Sequence, residues 1–184
     1  MRWKSILILL NSCFISLLCL SQTYIPVEKS SSVKFFINNF GISTEGSFAG
    51  IKGDIDFNPN KLKEASFDMS VDAESIFTKN RTRDNHLKSR DYFYVEKYPT
   101  IYLISKSITK APLKNQYWFE GELMIKDVTR QIKFEFTAEQ DKTGYLFKAD
   151  FKINRRDYFI GGSSLVLSNN VDVLLSISTV KKTF

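Results

Sequence analysis

The chain has 184 residues, with 26 Lys or Arg against 20 Asp or Glu, one histidine and two cysteines. Cys13 and Cys19 both lie in the first 21 residues, so the body of the chain has no thiol, and His86 is its sole imidazole. That leaves too few ligands for a zinc site and no Cys–His nucleophile, and without a basic run interleaved with aromatics the formal charge of +6 does not point to nucleic acid.

Arg2 and Lys4 open the chain, followed by a mostly apolar stretch from Ile6 to Leu20 and then polar Ser21-Gln22-Thr23. A positive start, an apolar middle and a small residue at the exit are the parts of a cleavable secretory signal. The expected signal is 1–21, with the cut after Ser21. The alternative is a retained anchor, for which the run is short and interrupted. Removing Arg2 and Lys4 leaves 24 basic and 20 acidic residues, a net charge of +4. The remaining 22–184 is long enough for one domain with its own core.

From Ser32 onward the pattern has period two. Stretches 33–39, 46–58, 65–73, 99–106, 116–126, 131–138, 145–153 and 171–179 alternate apolar and polar residues. Each therefore reads as a strand with one buried and one wet face. Leu165 to Leu167 adds a possible ninth or broken strand. Lys126-Asp127 and Asp141-Lys142-Thr143-Gly144 read as hairpin turns. Short connections favour antiparallel pairing, and no helix recurs between strands. The segment of about 74–98 lacks alternation and reads as a short helical insertion, with a helix near 80–90. Pro99 marks the return to strand. Period-two patterning alone is satisfied equally by a sandwich and by a closed barrel.

No Gly-x-Ser-x-Gly turn, phosphate-binding glycine loop or dinucleotide fingerprint is present. Asp68 and Asp72 fall on the wet face of their strand. The expectation is a protein that is not an enzyme, with no catalytic residues, no metal and no cofactor.

The central segment Asn80-Arg81-Thr82-Arg83-Asp84-Asn85-His86-Leu87, then Tyr92-Phe93 and Lys97-Tyr98-Pro99-Thr100-Ile101, resembles the signature of the YceI-like family of polyisoprenoid-binding proteins. Phe48, Gly50, Gly53 and Ile55-Asp56-Phe57 are similar to its early strand. Gly121-Glu122-Leu123 through Val128-Thr129 is similar to its mid-chain hairpin, and Asn154-Arg155-Arg156-Asp157-Tyr158 to its last motif. The likeness spans about 32–180. The pattern is broken at three places: Asn38-Asn39 replaces a Lys-His pair, and Asp127 and Phe159 each stand where glycine is usual.

The resemblance implies an all-β fold: an extended, antiparallel, eight-stranded lipocalin-like barrel with a long apolar tunnel. It implies an exported protein, in the periplasm of a bacterial envelope or outside the cell, that carries or stores an isoprenoid-type lipid such as a quinone, polyprenol or polyprenyl phosphate. The alternative is a filled barrel serving as a ligand-free structural or protein-interaction module. Phe35, Phe67, Met69, Phe119, Phe134, Phe136, Phe147 and Phe151 form the inward apolar row, beside small positions such as Ala73, Gly121, Ala138 and Ala149. They either line a tunnel or fill the core themselves. Arg83, His86 and Arg155 are the candidate head-group contacts. Each also has a structural reading: an Arg83–Asp84 ion pair, a hydrogen-bonded His86, and an Arg155 buried against a carboxylate. A transient membrane-surface contact through the basic stretch 79–90, and a monomer or homodimer, complete the expectations.

Overall fold

A computed structural model describes residues 22–183, and the expected signal segment 1–21 lies outside the described residues. The strands are β1 (Thr23–Pro26), β2 (Ser32–Asn39), β3 (Ile42–Asp56), β4 (Ser66–Phe77), β5 (Thr100–Lys110), β6 (Gln116–Ile125), β7 (Val128–Gln140), β8 (Tyr145–Asn154) and β9 (Leu167–Lys181), with one helix, α1 (Arg81–Lys88), between β4 and β5. Every pairing is antiparallel. From β2 to β9 each strand pairs with its successor, and β9 returns to β2. The result is a closed eight-stranded up-and-down barrel, which leaves no free sheet edge to template aggregation.

β1 was not legible as a separate strand. It pairs with β3 at Tyr24↔Ile55 and with β9 at Ile25↔Val180, in the place that the shorter β2 leaves open. β1 and β2 thus act as one broken staff. The break is pinned where the Glu28 carboxylate accepts the N–H groups of Gly50 (2.9 Å) and Ile51 (2.7 Å) on β3. β3 bends there because Gly50 has φ +71° and Gly53 φ +135°, and a Cβ at Gly53 would lie 2.0 Å from the Asp68 carbonyl.

The insertion starts later than the sequence suggested, since β4 continues through Phe77. Alternation fails after Ala73 because the β3–β4 register shifts on both sides of Ala49. Ser75 fills the irregularity: its hydroxyl accepts from Ala49 N at 2.7 Å and donates to the Asp72 carbonyl at 2.5 Å. Ala73 and Ile76 are then both buried, a spacing of three that no regular strand produces. α1 itself falls inside the expected 80–90 interval. Asn80 caps it by accepting the Arg83 N–H at 3.0 Å. The two expected turns form, and the Asp141 carboxylate accepts the N–H groups of Thr143 and Gly144, which holds its pKa below the usual carboxylate range. Leu165 and Val166 belong to the β8–β9 connection, and β9 begins at Leu167.

Strand direction sorts the connections to two ends. One end carries the β2–β3 hairpin, the insertion 78–99, the β6–β7 turn and the β8–β9 connection. The other carries the chain from Phe57 to Ala65, the β5–β6 and β7–β8 turns and β1. The interior holds two apolar clusters. The first, at the β1 end, centres on Tyr24, Ile55, Phe57, Phe67, Tyr117, Phe119, Phe136, Tyr145 and Phe147. The second, at the insertion end, holds Ala73, Ile76, Phe93, Leu123, Ile125, Tyr158 and Ile160.

Candidate functional site

Between the clusters lies a cavity of about 370 Å³, within the range of small-molecule sites. Its walls are almost wholly apolar. The inward alternation of β6, β7 and β8 puts Phe119, Phe134 and Phe151 side by side, with ring centroids 4.7 Å and then 4.2 Å apart and nearly parallel planes. This stack is one continuous wall. Phe35 on β2 faces it, with its ring lying across Gly46 on β3, where a Cβ would meet that ring at 2.1 Å. Ala149 sits between Phe147 and Phe151 on the same face and leaves room there.

The floor is aromatic. Phe57, which follows β3, meets the rings of Phe67, Tyr117, Phe136, Tyr145 and Phe147, mostly edge-on at 5.1–6.2 Å. Such edge-to-face contacts add to area burial. Tyr24 packs edge-on against Tyr145 at 5.2 Å. Burial pushes the phenols of Tyr24, Tyr117 and Tyr145 above the ordinary tyrosine value. Thr179 closes the layer by exchanging both bonds with the Tyr145 backbone at 3.0 Å.

The opposite end is the mouth. Phe93 leans over it, edge-on to Phe48 at 5.4 Å, and Phe48 meets Phe35 at 5.6 Å. Asn39, Thr44, Thr78, Arg83, His86 and Tyr92 bring polar atoms to this otherwise greasy opening. Asp84 is buried and accepts from Thr78 N at 2.8 Å and Thr78 Oγ1 at 2.5 Å. Arg83 donates from Nε to Thr78 Oγ1 at 2.8 Å and from Nη2 to the Thr78 carbonyl at 2.6 Å. Arg83 and Asp84 therefore share Thr78 and do not form the direct ion pair considered above. Arg83 is half-buried, and its Nη1 makes no hydrogen bond among the described residues.

His86 is exposed, with its ring edge-on to Tyr92 at 4.7 Å. Its imidazole makes no hydrogen bond among the described residues, contrary to the structural role expected from the motif. Arg155 is buried, but no carboxylate meets it. Its Nε donates to the Ser168 carbonyl at 2.9 Å, Nη1 to those of Ile160 and Gly162, and Nη2 to the Leu167 carbonyl and Asn169 Oδ1. All five N–H groups are thus spent on the β8–β9 connection and the first residues of β9, which together wrap round the guanidinium. Arg155 gives the cavity wall a positive charge but no free donor, and burial lowers its pKa.

All eight apolar candidates, together with Arg83, His86 and Arg155, border this one cavity. Sequence reasoning missed Phe48, Phe93 and Ile160 at the mouth and the tyrosines of the floor. The β3 bulges hide the parity of Phe48, and nothing in an irregular insertion indicates where Phe93 points. No group of three or more potential metal ligands occurs among the described residues, and none of their helices is long and apolar enough to cross a membrane.

A closed antiparallel barrel with a plugged floor, an apolar chamber and a polar-rimmed mouth defines a lipocalin-like, cavity-bearing barrel. The chain belongs to the YceI-like domain family, whose model matches residues 24–179. A UPF0312 protein of Photorhabdus laumondii is 29% identical over 157 residues, covering 82% of this chain and 81% of that protein. A UPF0312 protein of Staphylococcus aureus is 34% identical over 110 residues, covering 57% of this chain and 58% of that one. Among solved structures, BcnA of Burkholderia cenocepacia superposes with a TM-score of 0.79 at 21% identity, covering 83% of this chain and 98% of BcnA. A polyisoprenoid binding domain from Saccharophagus degradans superposes with a TM-score of 0.70 at 14% identity, covering 86% of this chain and 98% of that domain.

Proposed function

We propose that this protein is an exported, envelope-located carrier or store for one long apolar isoprenoid lipid, held with its tail on the Phe57 floor and its head at the mouth. The observation that carries this reading is the apolar cavity of about 370 Å³ that is plugged at one end and polar at the other. A ligand with a greasy chain and a single polar end matches that asymmetry. Family membership and the polyisoprenoid binding domain of Saccharophagus degradans support the isoprenoid class.

Burying a methylene contributes about 0.8 kcal/mol, so each isoprene unit offers roughly 3 to 4 kcal/mol before the cost of immobilising the chain. Affinity would come from the tail against Phe35, Met69, Phe119, Phe134 and Phe151. Selectivity would come from Arg83, whose free Nη1 suits a phosphate or quinone oxygen, and from the exposed imidazole of His86. Arg155 would add a long-range positive potential that favours an anionic head.

The test is uptake by protein stripped with organic solvent. An isoprenoid quinone or a polyprenyl phosphate should co-elute at one per chain in gel filtration, while a short-chain analogue with the same head should not. Failure of every isoprenoid, at concentrations where a detergent monomer binds, would remove the isoprenoid assignment.

A further inference from the structure

We propose that the mouth end of the barrel docks on an anionic phospholipid bilayer, with the tips of the β2–β3 hairpin and of the β8–β9 connection inserted among the lipid head groups. Phe40 is 74% exposed, Ile42 71% and Phe159 65%, and Leu165 is fully exposed. The two tips are joined: Phe40 N donates to the Val166 carbonyl at 3.0 Å. At the floor end, by contrast, Leu113 is the one large apolar side chain found exposed among the described residues.

The backbone adds a second, independent observation. Phe40 and Phe159 both have φ +52°, a left-handed conformation that bulky residues adopt at a cost and that glycine or asparagine takes readily. A large ring there, pointing into water, is unfavourable twice over unless something covers it. Neither residue borders the cavity, so the ligand does not cover them.

Charge selects the partner. The four mouth connections (40–41, 78–99, 126–127 and 155–166) hold nine Lys or Arg and five Asp or Glu, a net +4 that equals the net charge of the whole described chain. Arg81 and Arg90 are exposed and make no ion pair among the described residues. Lys126 reaches the Phe159 carbonyl at 3.4 Å, which sets a cation beside an apolar tip. Apolar tips inside a basic collar match the layering of an anionic membrane surface. A twofold pair of copies would instead bring two net-positive faces together. Docked in this way, the mouth opens against the bilayer, and an apolar chain could pass between the two without crossing water. The inference does not depend on which ligand the cavity holds.

The experiment is co-sedimentation of the purified protein with mixed phosphatidylcholine–phosphatidylglycerol vesicles and with pure phosphatidylcholine vesicles. The expected result is binding to the mixed vesicles that weakens with salt, and much less to the neutral ones. Phe40→Asn, Phe159→Gly and Leu165→Ser together should lower partitioning by about a hundredfold. Tm should hold or rise, since Asn and Gly suit the left-handed sites. Arg81→Gln with Arg90→Gln should lower binding to mixed vesicles by about tenfold and leave neutral vesicles unaffected. Failure of the wild-type protein to bind mixed vesicles, or unchanged binding by the triple variant, would overturn the proposal. So would a dimer in sedimentation that the triple variant loses while vesicle binding stays nil, which would assign the tips to a second copy.

Discussion

Phe57 and Phe93 both stand on connections at the barrel's ends, and both turn their rings inward, yet the two ends differ in kind. At the floor, Phe57 is hemmed in by Phe67, Tyr117, Phe136, Tyr145 and Phe147, and the layer beneath is sealed by Thr179. At the mouth, Phe93 has Phe48 on one side and a cavity that reaches Arg83 and His86 on the other. One barrel therefore contains a solved packing problem at one end and an open one at the other. Stability should reside mainly in the floor, and binding should reside in the space that the mouth leaves unfilled.

The largest expected effect comes from breaking the floor. Phe57→Ala should cost about 3 to 5 kcal/mol, because the surrounding rings are tied to their strands and cannot collapse into the hole. Urea titration should show this as a lower midpoint. A loss under about 1 kcal/mol would mean that the floor does not hold the barrel together.

Next is alkaline pH. Burial pushes the Tyr158 phenol up to about 12, with Asp157 adding to the shift. Tyr24, Tyr117 and Tyr145 shift in the same direction. Folded protein therefore keeps these protons when the unfolded chain has lost them. The tyrosine contribution to stability should be level below pH 10, the unfolded value, and then fall towards about 12, with Tyr158 accounting for about 2 kcal/mol. Tyr158→Phe should flatten that part of the decline in a pH series of thermal melts.

At the cavity, Ala149→Phe should fill space beside Phe151 without disturbing the floor. Lipid uptake should drop at least about tenfold, near 1.4 kcal/mol, while Tm moves by only a few degrees. A filled barrel that binds as well as before would place the ligand elsewhere. Arg83→Gln is expected to have the smallest effect. It should weaken a phosphate-headed ligand by about threefold to tenfold, an uncharged quinone by less, and a ligand with no polar head not at all, as measured by competitive uptake.

Much of this was legible because strands advertise themselves by alternation. The inward row Phe134, Phe136 and Phe147 and the eight barrel strands follow from period two, and the family likeness distinguishes a barrel from a sandwich. Legibility ended where the backbone departs from that period. The bulges at Gly50 and Gly53 concealed the direction of Phe48, and the irregularity at Ser75 concealed the last residues of β4. Arg155 was recognisable as unusual, yet its partners are backbone carbonyls, which any sequence can supply and none can advertise. The tyrosine floor was missed for another reason. Tyr24, Tyr117 and Tyr145 are far apart in sequence and meet only through barrel closure.

The proposed carrier role requires that the chamber above Phe57 hold an apolar chain. Native mass spectrometry of protein purified from a bacterial envelope without detergent tests it most directly. The expected result is a stoichiometric adduct that organic extraction releases and whose mass fits a series of isoprene units. A bare polypeptide mass, from protein that also refuses added quinone and polyprenol, would contradict it.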